Sequence, residues 1–320
     1  MIVQPKAFLA LVITGITTLV LASSVSFLGT PVWAQGGEAD PNTVFEQALS
    51  RLQTRDSGQE KEALALLLGT ATTGHKASMD LVGQLLDQGR GATADPAKAV
   101  EWYTKAAEAG YAPSMGRLGL MCLYGRGVAP SDEKAIDWFR KGAMAGDPGS
   151  MTSLGWMAEN GRGMDEDLAE ALVWYRRGAE KGFGPAMNNL ALMYKIGKGI
   201  EQSGTEALAW YRKSAEQGDP TGTYQVGWAY YSGEGVEIDE KEAFTWFQKA
   251  AEMGEPESTF QLGYMYFKGE GTKTDLAEAK KYFETAAARG NREAKIYLNR
   301  IASMEAHQQP PQAAGDGPDN

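Results

Sequence analysis

The chain has 320 residues, of which 43% are hydrophobic, and a formal net charge of −10. This describes an acidic, folded protein and argues against a nucleic-acid binder, which needs a basic footprint. The only cysteine, Cys122, excludes an intramolecular disulfide, so the fold must stand on packing alone.

Residues 1–34 read as a secretory signal peptide. Lys6 is its only charge, an apolar run follows from Ala7 to about Leu28, and Val32-Trp33-Ala34 forms a small-x-small cleavage site before Gln35. The rival reading is an uncleaved N-terminal membrane anchor, because the run is long for a leader. Thr and Ser interrupt it, and it ends in a cleavage site. There is no lipid-attachment cysteine, no N-x-S/T sequon and no ER-retention signal. The expected location is therefore periplasmic or secreted, with no stable membrane insertion after cleavage. Residues 35–40 are a short linker.

From residue 75 to 290 one pattern returns every 36 residues, six times and without insertion. A Gly-x-Gly stands at 89/91, 125/127, 161/163, 197/199, 233/235 and 269/271. An aromatic pair stands at Trp102-Tyr103, Trp138-Phe139, Trp174-Tyr175, Trp210-Tyr211, Trp246-Phe247 and Tyr282-Phe283. A period of this length means a stacked repeat, in which no unit buries its apolar face alone.

Each copy predicts two helices. The first has apolar residues at helical spacing, as in Met115, Leu118 and Cys122, with a small residue after the Leu that predicts close approach of a partner helix. The first Gly of Gly-x-Gly ends it as a left-handed cap. The second helix begins at Asp95, Ser131, Asp167, Ser203, Asp239 or Asp275, all good N-cap residues. Glu170, Glu206, Glu242 and Glu278, three residues on, predict a capping box, which Lys98 and Lys134 break. The Trp or Tyr seven residues after the cap is expected to fill the space between layers.

Residues 41–74 read as a degenerate capping repeat in the same register. Phe45, Leu49, Ala63, Leu66 and Leu67 fall at core positions, and Gln53-Thr54-Arg55 replaces Gly-x-Gly. Residues 291–305 form a lone capping helix with Ile296, Leu298 and Ile301 as its apolar face. Residues 306–320, rich in Gln, Pro, Gly and Asp, are expected to be a disordered tail.

The repeat resembles the Sel-one-like repeat, a relative of the tetratricopeptide repeat. The shared motif is A-x-x-x-L-G-x-x-Y-x-x-G-x-G-V followed by D-x-x-x-A-x-x-W-Y-x-x-A-A-x-x-G. Copies four to six match it well, while Cys122 and Ala158 replace the Tyr in earlier copies. The resemblance implies an all-α, right-handed α/α solenoid of antiparallel helix pairs. It implies a scaffold or adaptor that binds proteins or peptides, often in bacterial envelopes or secretory quality control. The chain departs from the cysteine-stapled secreted members of that family.

No chemistry stands out. His75 and His307 have no ligand cluster at metal spacing, so no zinc site is expected. Ser131-Asp132-Glu133-Lys134 matches S-x-x-K, yet Ser131 stands at the N-cap position of every copy and no S-D-N or K-T-G accompanies it. The Gly-x-Gly loops lack the strand, third Gly and Lys of a nucleotide loop. No catalytic residue, cofactor or metal is expected.

One feature stands outside the core register. On the face of the first helix opposite Leu118 and Cys122, positions i, i+4 and i+7 are Thr152, Trp156 and Glu159 in the third copy, and Asn188, Leu192 and Lys195 in the fourth. In the fifth copy they are Tyr224, Trp228 and Tyr231, and in the sixth Phe260, Tyr264 and Phe267. The second copy has Leu120 and Leu123 there; the first has Asp80, Gln84 and Asp87. In related stacks this register points into a concave groove. The plainer alternative is packing against the neighbouring first helix. The expectation is an exported, monomeric scaffold that binds a protein or peptide through Leu120, Trp156, Leu192, Tyr224, Trp228, Tyr231, Phe260, Tyr264 and Phe267. The alternatives are an envelope enzyme or glycan-binding protein acting on cell-wall material, and a periplasmic regulator of a membrane sensor.

Overall fold

The structure, a computed structural model, describes residues 40–308. The expected leader over 1–34, most of the linker and the tail from 309 lie outside the described residues. Among the described residues there are fifteen helices and no strand. They are α1 (Pro41–Gln53), α2 (Ser57–Thr72), α3 (Lys76–Gln88), α4 (Pro96–Glu108), α5 (Ala112–Tyr124), α6 (Asp132–Met144), α7 (Pro148–Asn160) and α8 (Leu168–Glu180). There follow α9 (Gly184–Ile196), α10 (Gly204–Glu216), α11 (Pro220–Ser232), α12 (Glu240–Glu252), α13 (Pro256–Lys268), α14 (Leu276–Ala288) and α15 (Arg292–Gln308). Each of α3 to α14 is 13 residues long, about 20 Å. Consecutive helices pack in pairs, as a 36-residue solenoid repeat requires. The chain divides into two compact units, up to Leu190 and from Ala191.

The second-helix caps form as expected. Asp95, Ser131, Asp167, Ser203, Asp239 and Asp275 each accept the backbone N–H three residues on. The reciprocal half of the capping box is overturned. In every repeat the cap residue's own N–H donates to the carbonyl nine residues back, at the end of the first helix, over 2.8–3.0 Å. Asp95 N–H reaches Leu86 O and Asp239 N–H reaches Tyr230 O. That donor is already satisfied, so Glu at the third position is dispensable, and Lys98 and Lys134 cost no hydrogen bond there.

The Trp of each pair is half-buried and packs against the core shared with the preceding repeat, as Trp174 and Trp246 do, so it fills the space between layers as expected. The second aromatic of each pair is buried deeper still. Phe139, Tyr175, Phe247 and Phe283 are fully buried. A Cβ on Gly119 would lie 2.4 Å from the Phe139 ring, and one on Gly227 2.9 Å from that of Phe247. The small residue thus makes room for a ring of the second helix. Each Trp lies under a cation three residues on: Lys105 Nζ is 4.3 Å from the Trp102 centroid and Lys213 Nζ 3.9 Å from that of Trp210.

The Gly-x-Gly does two jobs. Gly125 has φ +67° and caps α5, its N–H donating to Met121 O. Gly127 has φ +68° and meets the preceding repeat, since a Cβ there would lie 2.2 Å from Pro96 O at the start of α4. Backbone against backbone leaves only glycine for that contact. The residue between them reaches back as well. Arg90 Nε donates to Glu60 Oε1 at 2.7 Å, and Arg126 Nη2 to Asp87 Oδ1 at 2.8 Å.

The terminal units differ from expectation in detail. In the first pair Ala48, Leu52, Ala63, Leu64 and Leu67 are buried, and Phe45 and Leu66 pack partly against them. Arg55 takes φ 54°, so a shorter turn forms where Gly-x-Gly is lost. At the other end α15 runs to Gln308, three residues past the expected 305. Ala294 and Ile301 are buried, whereas Ile296 is exposed.

Candidate partner-binding face

In the first unit, Leu120 is buried among Cys122, Leu123, Phe139 and Leu154, and so offers a partner little surface. Trp156 is half-buried, with the Arg162 guanidinium 5.7 Å from its ring. The same face carries a buried ionic group. Arg117 Nε donates to Asp80 Oδ1 at 3.0 Å, Ser114 Oγ donates to the same oxygen at 2.6 Å, and Arg117 Nη2 has no partner. Asp147, the N-cap of α7, lies nearby, and burial pushes its carboxyl up. Gly116 leaves the room this needs: a Cβ there would be 2.6 Å from Asp147 Oδ2.

In the second unit, Leu192 is half-buried. Tyr224, Trp228 and Tyr231 on α11 form a row. Ring centroids are 6.5 Å apart between Tyr224 and Trp228 and 5.6 Å between Trp228 and Tyr231. Tyr224 and Tyr231 straddle the buried Phe247 at 5.5 and 6.5 Å. On α13, Phe260 and Phe267 straddle Phe283 in the same way, at 5.6 and 6.5 Å. All six side chains are half-buried, each packed against a core cluster. The groove register and the packing register are therefore the same positions.

Tyr297 on α15 joins this row, and sequence reasoning missed it. Its centroid lies 5.9 Å from Phe260, 5.6 Å from Tyr264 and 5.4 Å from Phe267. It stacks on Phe283 at 5.1 Å. The signal lay in the repeat register: Tyr297 is one period after Gln261, a buried position.

Polar tips complete the row. Tyr231 OH donates to Glu270 Oε2 at 2.7 Å, and burial with that carboxylate pushes the hydroxyl up. Glu255, the N-cap of α13, accepts the Ser258 N–H at 2.6 Å and the Ser258 hydroxyl. Burial, with neighbouring Glu257, pushes its carboxyl up to about 8. Among the described residues no group of three His, Cys, Asp or Glu could hold a metal ion. Ser131 Oγ accepts the Lys134 N–H at 3.3 Å, so the S-x-x-K serine is a helix cap.

The Sel1 repeat model matches residues 76–111, 112–147, 148–183, 184–219, 220–255 and 256–291. The chain belongs to the Sel1 repeat family. Its repeats coincide with the α3–α14 pairs, so this protein is a Sel1-repeat α-solenoid. It is similar to a Sel1 repeat protein from Oxalobacter formigenes, with 32% identity and a TM-score of 0.69 over 77% of this chain and 99% of that one. It is also similar to c5321, a protective antigen of uropathogenic Escherichia coli strains, with 29% identity and a TM-score of 0.64 over 86% of this chain and 59% of that one. The immunity protein Pa5087 from Pseudomonas aeruginosa shares the fold at 19% identity and a TM-score of 0.53, over 72% of this chain and 89% of that one. A comparison with curated proteins finds none that matches. No described helix is long and apolar enough to cross a membrane.

Proposed function

We propose that this protein is an exported Sel1-repeat scaffold that holds a protein or peptide partner on the aromatic face of its second unit. The observation that carries the reading is the row Tyr224, Trp228, Tyr231, Phe260, Tyr264 and Phe267, six half-buried rings packed against two neighbouring core clusters. Half-buried rings already held by packing lose little entropy on binding, which suits them as anchors. A contiguous aromatic patch of this kind marks an interaction surface. The family supports the reading, because stacked repeats build extended binding surfaces. Export rests on the leader-like residues 1–34, with cleavage before Gln35.

The test is capture from the organism's own envelope extract. The immobilised chain and its Trp228→Ala/Tyr264→Ala variant are compared by quantitative mass spectrometry. The expected result is a protein or peptide enriched by the wild type and depleted at least tenfold by the variant. Equal recovery with both would refute the assignment of this face.

A further inference from the structure

The register of the aromatic row continues onto α15 with different chemistry. One period after Phe260, Tyr264 and Phe267 stand Ile296, Arg300 and Ser303, an aliphatic side chain, a cation and a hydroxyl. All three are exposed, Ile296 by 54%. Arg300 lies 5.2 Å from the Tyr297 ring, and Lys268 Nζ lies 6.0 Å from that of Tyr264. Those two rings meet edge to face at 5.6 Å, so both cations belong to one patch.

The charges around this patch are unevenly spent. Glu270 accepts the Tyr231 hydroxyl, and Glu305 pairs with Lys280 at 3.5 Å. Glu293 stands in the first turn of α15, about 10 Å along the helix from Arg300. Lys268 and Arg300 pair with no carboxylate among the described residues; aromatic rings are their partners. A ring face attracts a cation without neutralising it, so both charges stay available. In a chain of net charge −10, two unspent cations beside exposed apolar surface are a local exception.

Resting on the proposed aromatic face, we infer that the partner presents an acidic peptide segment to this end of the row. Its Asp or Glu side chains meet Lys268 and Arg300, and an adjacent apolar side chain lies on Ile296 and the rings of Tyr264 and Tyr297. A neutral segment would cover the cations without replacing the water they lose. A basic one would be repelled. The negative charge elsewhere on the chain opposes an acidic segment weakly, because it is screened beyond about 8 Å at physiological ionic strength. Exposed ion pairs are individually worth little, so the two together should change affinity about fivefold.

The experiment pans a phage library of random peptides on the immobilised full chain. The enriched sequences are then synthesised with both termini blocked and titrated against wild type, Lys268→Gln/Arg300→Gln and Trp228→Ala/Tyr264→Ala. Lys268 and Arg300 are exposed, so the first variant keeps the fold. The expected peptides place Asp or Glu beside an apolar or aromatic residue. They should bind Lys268→Gln/Arg300→Gln about fivefold more weakly than wild type, and the difference should shrink at about 0.5 M salt. Neutral or basic winners, equal binding to this variant, or no enriched sequence would overturn the proposal. Any of these results with envelope capture still dependent on Trp228 and Tyr264 removes only the acidic specificity. Acidic peptides that need Lys268 and Arg300 but bind Trp228→Ala/Tyr264→Ala as tightly as wild type would instead remove the aromatic face.

Discussion

Three glycines of two neighbouring repeats, Gly110 at the end of the first and Gly125 and Gly127 in the second, separate backbone strain from contact between repeats. Gly110, Gly125 and Gly127 have φ of +82°, +67° and +68°. An alanine at each must adopt the left-handed region, at roughly 1–2 kcal/mol. Their surroundings differ. A Cβ on Gly110 meets nothing within 4 Å, one on Gly125 meets Pro130 Cδ at 3.1 Å, and one on Gly127 meets Pro96 O at 2.2 Å. The last is backbone, so relief requires moving the loop off the N-terminus of α4 by roughly 1 Å, and such overpacking adds about 1–3 kcal/mol. Gly127→Ala should therefore cost about 2–5 kcal/mol and Gly110→Ala about 1 kcal/mol, with Gly125→Ala between them. Urea melts of the three variants measure this. Equal losses for Gly110→Ala and Gly127→Ala would refute the idea that the second glycine locks one repeat onto the next.

Further outcomes follow from the buried charges and the proposed leader. Glu255 has a carboxyl raised by burial, so its contribution to stability is fully present below the unfolded value near 4.5 and is lost as pH rises through about 8. Wild type should lose melting temperature between pH 5 and pH 8.5, and Glu255→Gln, which keeps an acceptor for Ser258, should flatten that slope; parallel slopes would contradict it. Asp80→Ala leaves the buried Arg117 without its carboxylate and should cost roughly 3–5 kcal/mol, while adding Arg117→Met should recover much of the loss. Denaturant melts of the single and double variants check this, and additive losses would argue against coupling. The exported chain should begin at Gln35 by intact mass; a full-length N-terminus on membrane-bound protein would favour the anchor.

The repeat was legible because its landmarks are local. A 36-residue period, N-cap residues and left-handed cap glycines each act within one copy, so spacing alone reveals them. Contacts between copies were not legible. The second glycine of Gly-x-Gly reads like the first, and only its approach to Pro96 O separates them. The capping box misled because its motif is local, while the competing acceptor, such as Leu86 O for Asp95, lies across the loop. Within the aromatic pair, pattern did not say which ring turns inward; the partner glycine decides it, as Gly119 does for Phe139. The aromatic row was visible as a register, but not that its rings also brace Phe247 and Phe283. Truncating them therefore carries a folding cost that the register alone did not foresee. Half-buried, Trp228 should cost about 2 kcal/mol on truncation, near half the value of a fully buried ring.

That cost shapes the decisive measurement. The captured partner is titrated against wild type, Trp228→Ala/Tyr264→Ala and Trp138→Ala, with circular dichroism confirming that each is folded at the assay temperature. Trp138 is also half-buried, on the second helix α6 in the first unit, so its loss controls for destabilisation alone. Anchors at the centre of an interface contribute about 2 kcal/mol or more, so the double variant should bind at least roughly 30-fold more weakly and Trp138→Ala as wild type does. Unchanged affinity in the folded double variant, or an equal loss in Trp138→Ala, would contradict the aromatic face as the binding surface.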